Sequence, residues 1–277
     1  MVHPDGRGGE RSEDSCDHRG YPGTKLADEA RGVSLSELND PNFVTGRIAW
    51  YNNGMGDVDE VTEKETEIHR RRQQAYLALA KGFLLQPSVE MLDDLKIASV
   101  AAVYPAVFQP SLKIDSAGEL VQGLPSLELD YAQLFVGPGE VHAPPWESVY
   151  RTEDRLVFGQ TTLDVRAFYQ KNGLSIPNMN QEPDDHFGLE LAFMSVLAER
   201  TADAYEGKTP GADVNNFIQE QKCFLQEHLG QWAEEFIGRV KRFAKTSFYR
   251  DLATTTEGFI KQDMTWLQED GRCFQLV

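Results

Sequence analysis

The stretch Glu182-Pro183-Asp184-Asp185-His186-Phe187-Gly188-Leu189-Glu190-Leu191-Ala192-Phe193-Met194 decides the fold. From Leu189 onward, apolar residues (Leu189, Leu191, Phe193, Met194, Val196, Leu197) occupy most of a helical circumference, the pattern of a largely buried helix. Pro183 suits a first helical position, so a helix is expected from Pro183 to about Glu206. Three carboxylates and His186 then fall within its first turn, where the helix dipole favours negative charge. Capping alone accounts for Asp184 and Asp185. His186 admits two readings, orienting a carboxylate or being satisfied by one.

Other segments repeat the helical period. Thr62-x-x-Glu65 has the form of a capping box, and Ile68, Ala75, Tyr76, Leu79, Ala80 and Phe83 recur at three- and four-residue steps before Pro87. Ser88 is placed to cap a helix carrying Met91, Leu92 and Leu95. Leu127, Tyr131, Leu134 and Phe135 predict another helix, which Gly137-Pro138-Gly139 ends. Further helices are expected over 161–171, closed by Asn172-Gly173, and over 212–229, 231–246 and 248–269. Alternating strand patterns are nearly absent. The expected fold is all-α, with about eight to ten helices over 61–277. Residues 1–60 form an acidic extension, largely disordered or loosely docked, because 1–32 are too poor in large apolar residues to offset chain entropy.

The chain has 277 residues and a formal charge of −17. That sign repels nucleic acid and attracts cations and basic peptides. Three cysteines, Cys16, Cys223 and Cys273, show no metal-ligand spacing, and the sparse, odd count fits a reducing compartment. No signal peptide or membrane span is visible, so a cytoplasmic location is expected. Asp185, His186 and Glu190, with His142 as a fourth, are conceivable metal ligands of a hydrolase, but no second clustered histidine accompanies them. No nucleophile elbow and no phosphate-cradling loop are present. The run Ala143-Pro144-Pro145-Trp146 reads either as a rigid binding loop with a Trp anchor or as a chain route with Trp146 packed inward.

The run Asp130-Tyr131-x-x-Leu134-Phe135-Val136-Gly137-Pro138, then Ala143-Pro144-Pro145-Trp146-Glu147-Ser148-Val149-Tyr150, and the E-x-x-D-H motif at 182–186 together resemble the TorD/DmsD/NarJ-type redox-enzyme maturation chaperones. The resemblance covers roughly residues 62–270. It implies a TorD-like helical domain, without catalytic activity, that binds the twin-arginine leader of a molybdenum- or tungsten-containing oxidoreductase subunit and delays export until the cofactor is inserted. The client, not the chaperone, carries the molybdenum cofactor, and the sequence offers no motif for a guanine nucleotide. Carried over position by position, Tyr76, Leu134, Phe135, Pro145, Trp146, Asp185 and His186 correspond to leader-binding positions, and Glu182 completes the motif. Asp184, Asp185 and Glu182 offer carboxylates to the leader's guanidiniums. Monomer and homodimer are both compatible with such a fold. Two alternatives stand beside this reading: the metal-dependent hydrolase, and a helical interaction module without a ligand. A segment over 42–51 is a candidate for covering the leader groove.

Overall fold

The structure is a computed structural model, and it describes residues 60–97, 103, 123–153, 157–175 and 183–269. The extension up to residue 59, the segment 42–51 and Glu182 lie outside the described residues. Secondary structure among the described residues is helical, and the single β feature is an isolated antiparallel bridge between Trp146 and His186. No helix among them is long and apolar enough to cross a membrane.

The helices are α1 (Glu60–Leu84), α2 (Val89–Ile97), α3 (Leu124–Tyr131), α4 (Glu147–Arg151), α5 (Gln160–Lys171), α6 (Phe187–Tyr205), α7 (Val214–Phe224), α8 (Gly230–Phe243) and α9 (Ser247–Gln268). A π-helical turn extends α3 over Ala132–Val136, and another joins α7 to α8 over Leu225–Leu229. Several expected boundaries hold. Ser88 Oγ accepts from the Met91 amide at 3.1 Å, capping α2. Asn172 follows α5, and Gly173 takes a φ of 67° that glycine adopts without a Cβ penalty.

Two expected starts move. Thr62 does not cap α1, because that helix already includes Glu60. Pro183 does not open α6, which starts four residues later with His186 as its N-cap. His186 is extended (φ −74°, ψ 133°), and its ring Nδ1 accepts from the Gly188 amide at 3.0 Å. The backbone explains the shift. The Phe187 amide donates to the Pro145 carbonyl at 2.8 Å, and the Glu147 amide donates to the Asp185 carbonyl at 2.9 Å. These bonds to a distant loop replace the helical ladder that Pro183–His186 would otherwise begin.

α6 packs along α1. Gly188 permits the close approach: a Cβ there would lie 2.9 Å from Leu84 Cβ and 3.0 Å from the Ala80 carbonyl oxygen. An aromatic cluster fills the centre, with Phe83 and Phe236 touching each other and each touching Phe135 and Phe187 at centroid distances of 4.5–6.0 Å. Trp232 packs on Phe187, and Tyr249 packs on Phe135. Large buried rings of this kind supply much of a helical core's hydrophobic stabilisation.

Candidate functional site

The site is a joint between two segments distant in sequence, the loop 143–148 and the turn 183–187. The Trp146–His186 bridge sits at its centre, with the two rings 6.3 Å apart and nearly perpendicular. Trp146 is half-buried, and Pro145 is buried.

Asp185 is the pin of the joint. It is fully buried. Its Oδ2 accepts from the Ser148 amide at 2.8 Å, and its Oδ1 accepts from the Thr162 hydroxyl at 2.9 Å. The first bond holds the start of α4, and the second holds α5. Both oxygens therefore serve the chain itself, whereas the sequence suggested they would face a guanidinium. Asp184 is held from α5 as well: Arg166 Nε and Nη2 donate to Asp184 Oδ2 at 3.0 and 2.6 Å, and the Tyr169 hydroxyl donates to the Asp184 carbonyl at 3.1 Å. Thr162, Arg166 and Tyr169 follow an i, i+4, i+7 spacing, so one face of α5 grips the two aspartates. Burial and the surrounding carboxylates, Glu190 first, raise the Tyr169 phenol well above its ordinary value, so it stays a donor.

His186 is neutral. Burial lowers its pKa to about 3, which suits a ring nitrogen accepting from a backbone amide. An orienting or metal-binding role is thus replaced by capping.

Behind the joint lies a buried acidic pair, of which the sequence offered only Glu190, as a conceivable metal ligand. Glu147 and Glu190 are both fully buried. Arg151 donates to Glu147 Oε1, the His228 ring meets Glu147 Oε2 at 3.1 Å, and Trp232 Nε1 donates to Glu190 Oε2 at 3.2 Å. Burial first, and then the adjacent Glu147 carboxyl, raise the Glu190 acid well above its ordinary value. A protonated acid next to a carboxyl group removes the like-charge repulsion two carboxylates would suffer there.

The two shifts make opposite pH predictions. Below about 6.5 the unfolded His186 takes up a proton that the folded ring refuses, so its contribution to stability is lost as pH falls toward 3. Glu190 keeps its proton in the fold after the unfolded side chain has lost it, so stability is lost as pH rises above about 4.5. The slopes oppose each other between these values, and above about 6.5 the Glu190 slope remains. Glu190→Gln, which mimics the protonated acid and still accepts from Trp232, is expected to flatten that alkaline decline. Denaturant melts of both proteins from pH 5 to 8 would measure it, and parallel curves would refute the assignment.

The other expected binding positions separate from this joint. Leu134 and Phe135 are buried, Leu134 receiving the Ala143 amide at 2.9 Å and Phe135 lying in the aromatic core. Tyr76 is buried elsewhere, its hydroxyl donating at 2.7 Å to Asp263 Oδ2. Asp263 also receives Arg72 Nε at 2.6 Å and Nη2 at 2.8 Å. Arg72 lies 4.8 Å from the Trp266 ring, and its Nη1 lies 2.9 Å from His69 Nδ1. This buried network spans 191 residues of sequence and left no local signal. Among the described residues, no three His, Cys, Asp or Glu side chains gather to hold a metal. Asp185, His186 and Glu190 each point to a different protein partner. His142 stacks on Phe243 with centroids 5.0 Å apart.

Comparison with known proteins shows what the chain resembles. Residues 103–238 match the family model described as the nitrate reductase delta subunit. A probable Tat proofreading chaperone DmsD of Haemophilus influenzae is 32% identical over 132 residues, covering 48% of this chain and 57% of that protein. The Tat proofreading chaperone DmsD of Salmonella typhimurium is 31% identical over 127 residues, 46% of this chain and 55% of that protein. The chain thus spans rather more than half the length of these DmsD proteins. The chaperone protein TorD of Vibrio vulnificus is 25% identical over 209 residues, 72% of this chain and 95% of that protein. Over residues 103–238, which contain both halves of the joint, the chain is similar to the nitrate reductase delta subunit family, and it is similar to the DmsD and TorD chaperones.

Proposed function

We propose that this protein is a non-catalytic maturation chaperone that binds the twin-arginine leader of a molybdenum- or tungsten-containing oxidoreductase subunit in the cytoplasm and delays its export until the cofactor is inserted. The names of the DmsD relatives, as Tat proofreading chaperones, support the leader as partner. The observation that carries the reading is the joint itself. A proline-stiffened loop bearing a half-buried Trp146 is pinned by Asp185 to an acidic turn, so an aromatic anchor and the Asp184 carboxylate are held within one preorganised framework. Rigidity of this kind lowers the ordering cost of binding a peptide.

In this reading, Trp146 and Asp184 face the leader. Asp185, His186, Pro145, Leu134 and Phe135 hold their positions, and Tyr76 acts through the core. Glu182 completes the motif in the sequence. The net charge of −17 steers a basic leader inward and makes association sensitive to salt. Micromolar affinity requires only about 8 kcal/mol, so one or two arginine contacts and an apolar anchor suffice, and the client remains releasable.

Calorimetry with a synthetic twin-arginine leader tests the proposal. Binding that weakens with salt, and about tenfold or more with Trp146→Ala, is expected, since a truncated aromatic anchor costs at least about 1–2 kcal/mol. Equal affinity for a leader carrying Gln in place of both arginines would remove the Arg–carboxylate element.

A further inference from the structure

The Asp184 carboxylate already holds a guanidinium, and it belongs to the chain. Arg166 reaches it from α5 by two nitrogens, Nε and Nη2, and both bonds converge on one oxygen, Oδ2. The stronger arrangement between these groups is a fork in which two nitrogens meet two oxygens. Arg166 stands on the solvent side of the pair, with 20% of its side chain exposed against 3% for Asp184. The neighbouring Asp185 differs, since its partners are a backbone amide and a buried hydroxyl that the fold cannot release without moving α4 or α5.

The same helix presents an apolar surface beside this pair. Leu163 lies three residues before Arg166, a spacing that puts the two side chains on one helix face, and it is 49% exposed. Phe158, just ahead of α5, is also 49% exposed and takes a φ of 65°. Few non-glycine residues adopt that conformation, and it costs a bulky residue energy. An ion pair reachable from solvent, with the exposed Leu163 one turn away on the same helix, matches a peptide in which an arginine is followed by apolar residues.

We propose that Arg166 is an internal stand-in for a leader arginine: it occupies the Asp184 guanidinium subsite in the free protein and is displaced when a leader guanidinium enters, while Leu163 receives an apolar residue that follows. The inference rests on the leader-binding reading above. It adds a self-inhibitory contact, which sets the affinity of the subsite and favours clients able to make the better fork. It also gives a route for release, because Arg166 returns as the leader departs.

The test is fluorescence anisotropy with a labelled twin-arginine leader and with the same leader carrying Gln in place of both arginines. Arg166→Gln is expected to bind the twin-arginine leader about tenfold more tightly than the parent protein, the scale of one lost competing contact. The Gln-substituted leader should show no such gain. Arg166→Lys keeps a charge on Asp184 and protects the fold. It competes as a point charge only, so an intermediate gain of about threefold is expected. Leu163→Asp should weaken binding in both backgrounds. If the parent protein binds the leader and folded Arg166→Gln or Arg166→Lys binds it no better, the stand-in is refuted while leader binding survives. If neither the parent nor the variants bind, leader binding and the inference fall together.

Discussion

Asp263→Ala is expected to lower the folding free energy by about 3–5 kcal/mol, the cost of leaving a buried charge without its partner. Arg72 and Asp263 are both fully buried, and two bonds of 2.6 and 2.8 Å join them. Removing the carboxylate takes two charge-assisted bonds from the Arg72 guanidinium and one from the Tyr76 hydroxyl. In a domain of this size the melting temperature should fall on the order of 10 °C. Arg72→Met combined with Asp263→Leu should recover much of the loss, since replacing both ions by apolar groups removes their desolvation cost. Thermal denaturation checks both. The result bears on function, because Tyr76 resembles a leader-binding position yet belongs to this network. The folded fraction of Asp263→Ala should therefore bind a leader as the parent does. A change in affinity without a change in stability would return Tyr76 to the binding surface.

Asp185→Ala is expected to cost about 3 kcal/mol, because two buried donors lose a charged acceptor. The loss should be local before it is global. Ser148 N and Thr162 Oγ1 are the stranded donors, so amide exchange should accelerate over 145–148 and at the start of α5, while α1 and α6 stay protected. Asp185→Asn should be milder, at about 1 kcal/mol, since the amide oxygen still accepts from Ser148 and the Thr162 hydroxyl rotates to accept. Leader affinity should fall in both variants in proportion to the loosening. Uniform exchange across the domain would show that Asp185 stabilises the fold without organising the loop.

Much of this architecture is legible in the sequence, because helices announce themselves locally. The period of apolar residues, Ser88 before α2 and Gly173 after α5 act within a few residues of their effect. The site is less legible. Pro183 reads as a helix start by every local rule, yet the chain from Pro183 to His186 is drawn into bonds with Pro145 and Glu147, some 40 residues away. A histidine caps α6 where Asp or Ser is the expected type. Motif resemblance named Asp185 and His186, but not their work as a pin and a cap. Arg166 went unremarked because an arginine in a helix is ordinary until its carboxylate is known. The Glu147–Glu190 and Arg72–Asp263 pairings are invisible for the same reason: their partners are set by packing among distant helices, not by spacing.

The most direct test of the central claim, that the Trp146 loop and the 183–187 turn together receive a leader, is amide hydrogen exchange on the full chain with and without a saturating twin-arginine leader. Protection is predicted to change over 143–148, 158–166 and 183–187, with the Arg72–Asp263 region of α1 and α9 unaltered. Binding whose changes fall on α1 and α9 alone, or a leader that does not bind, would contradict it.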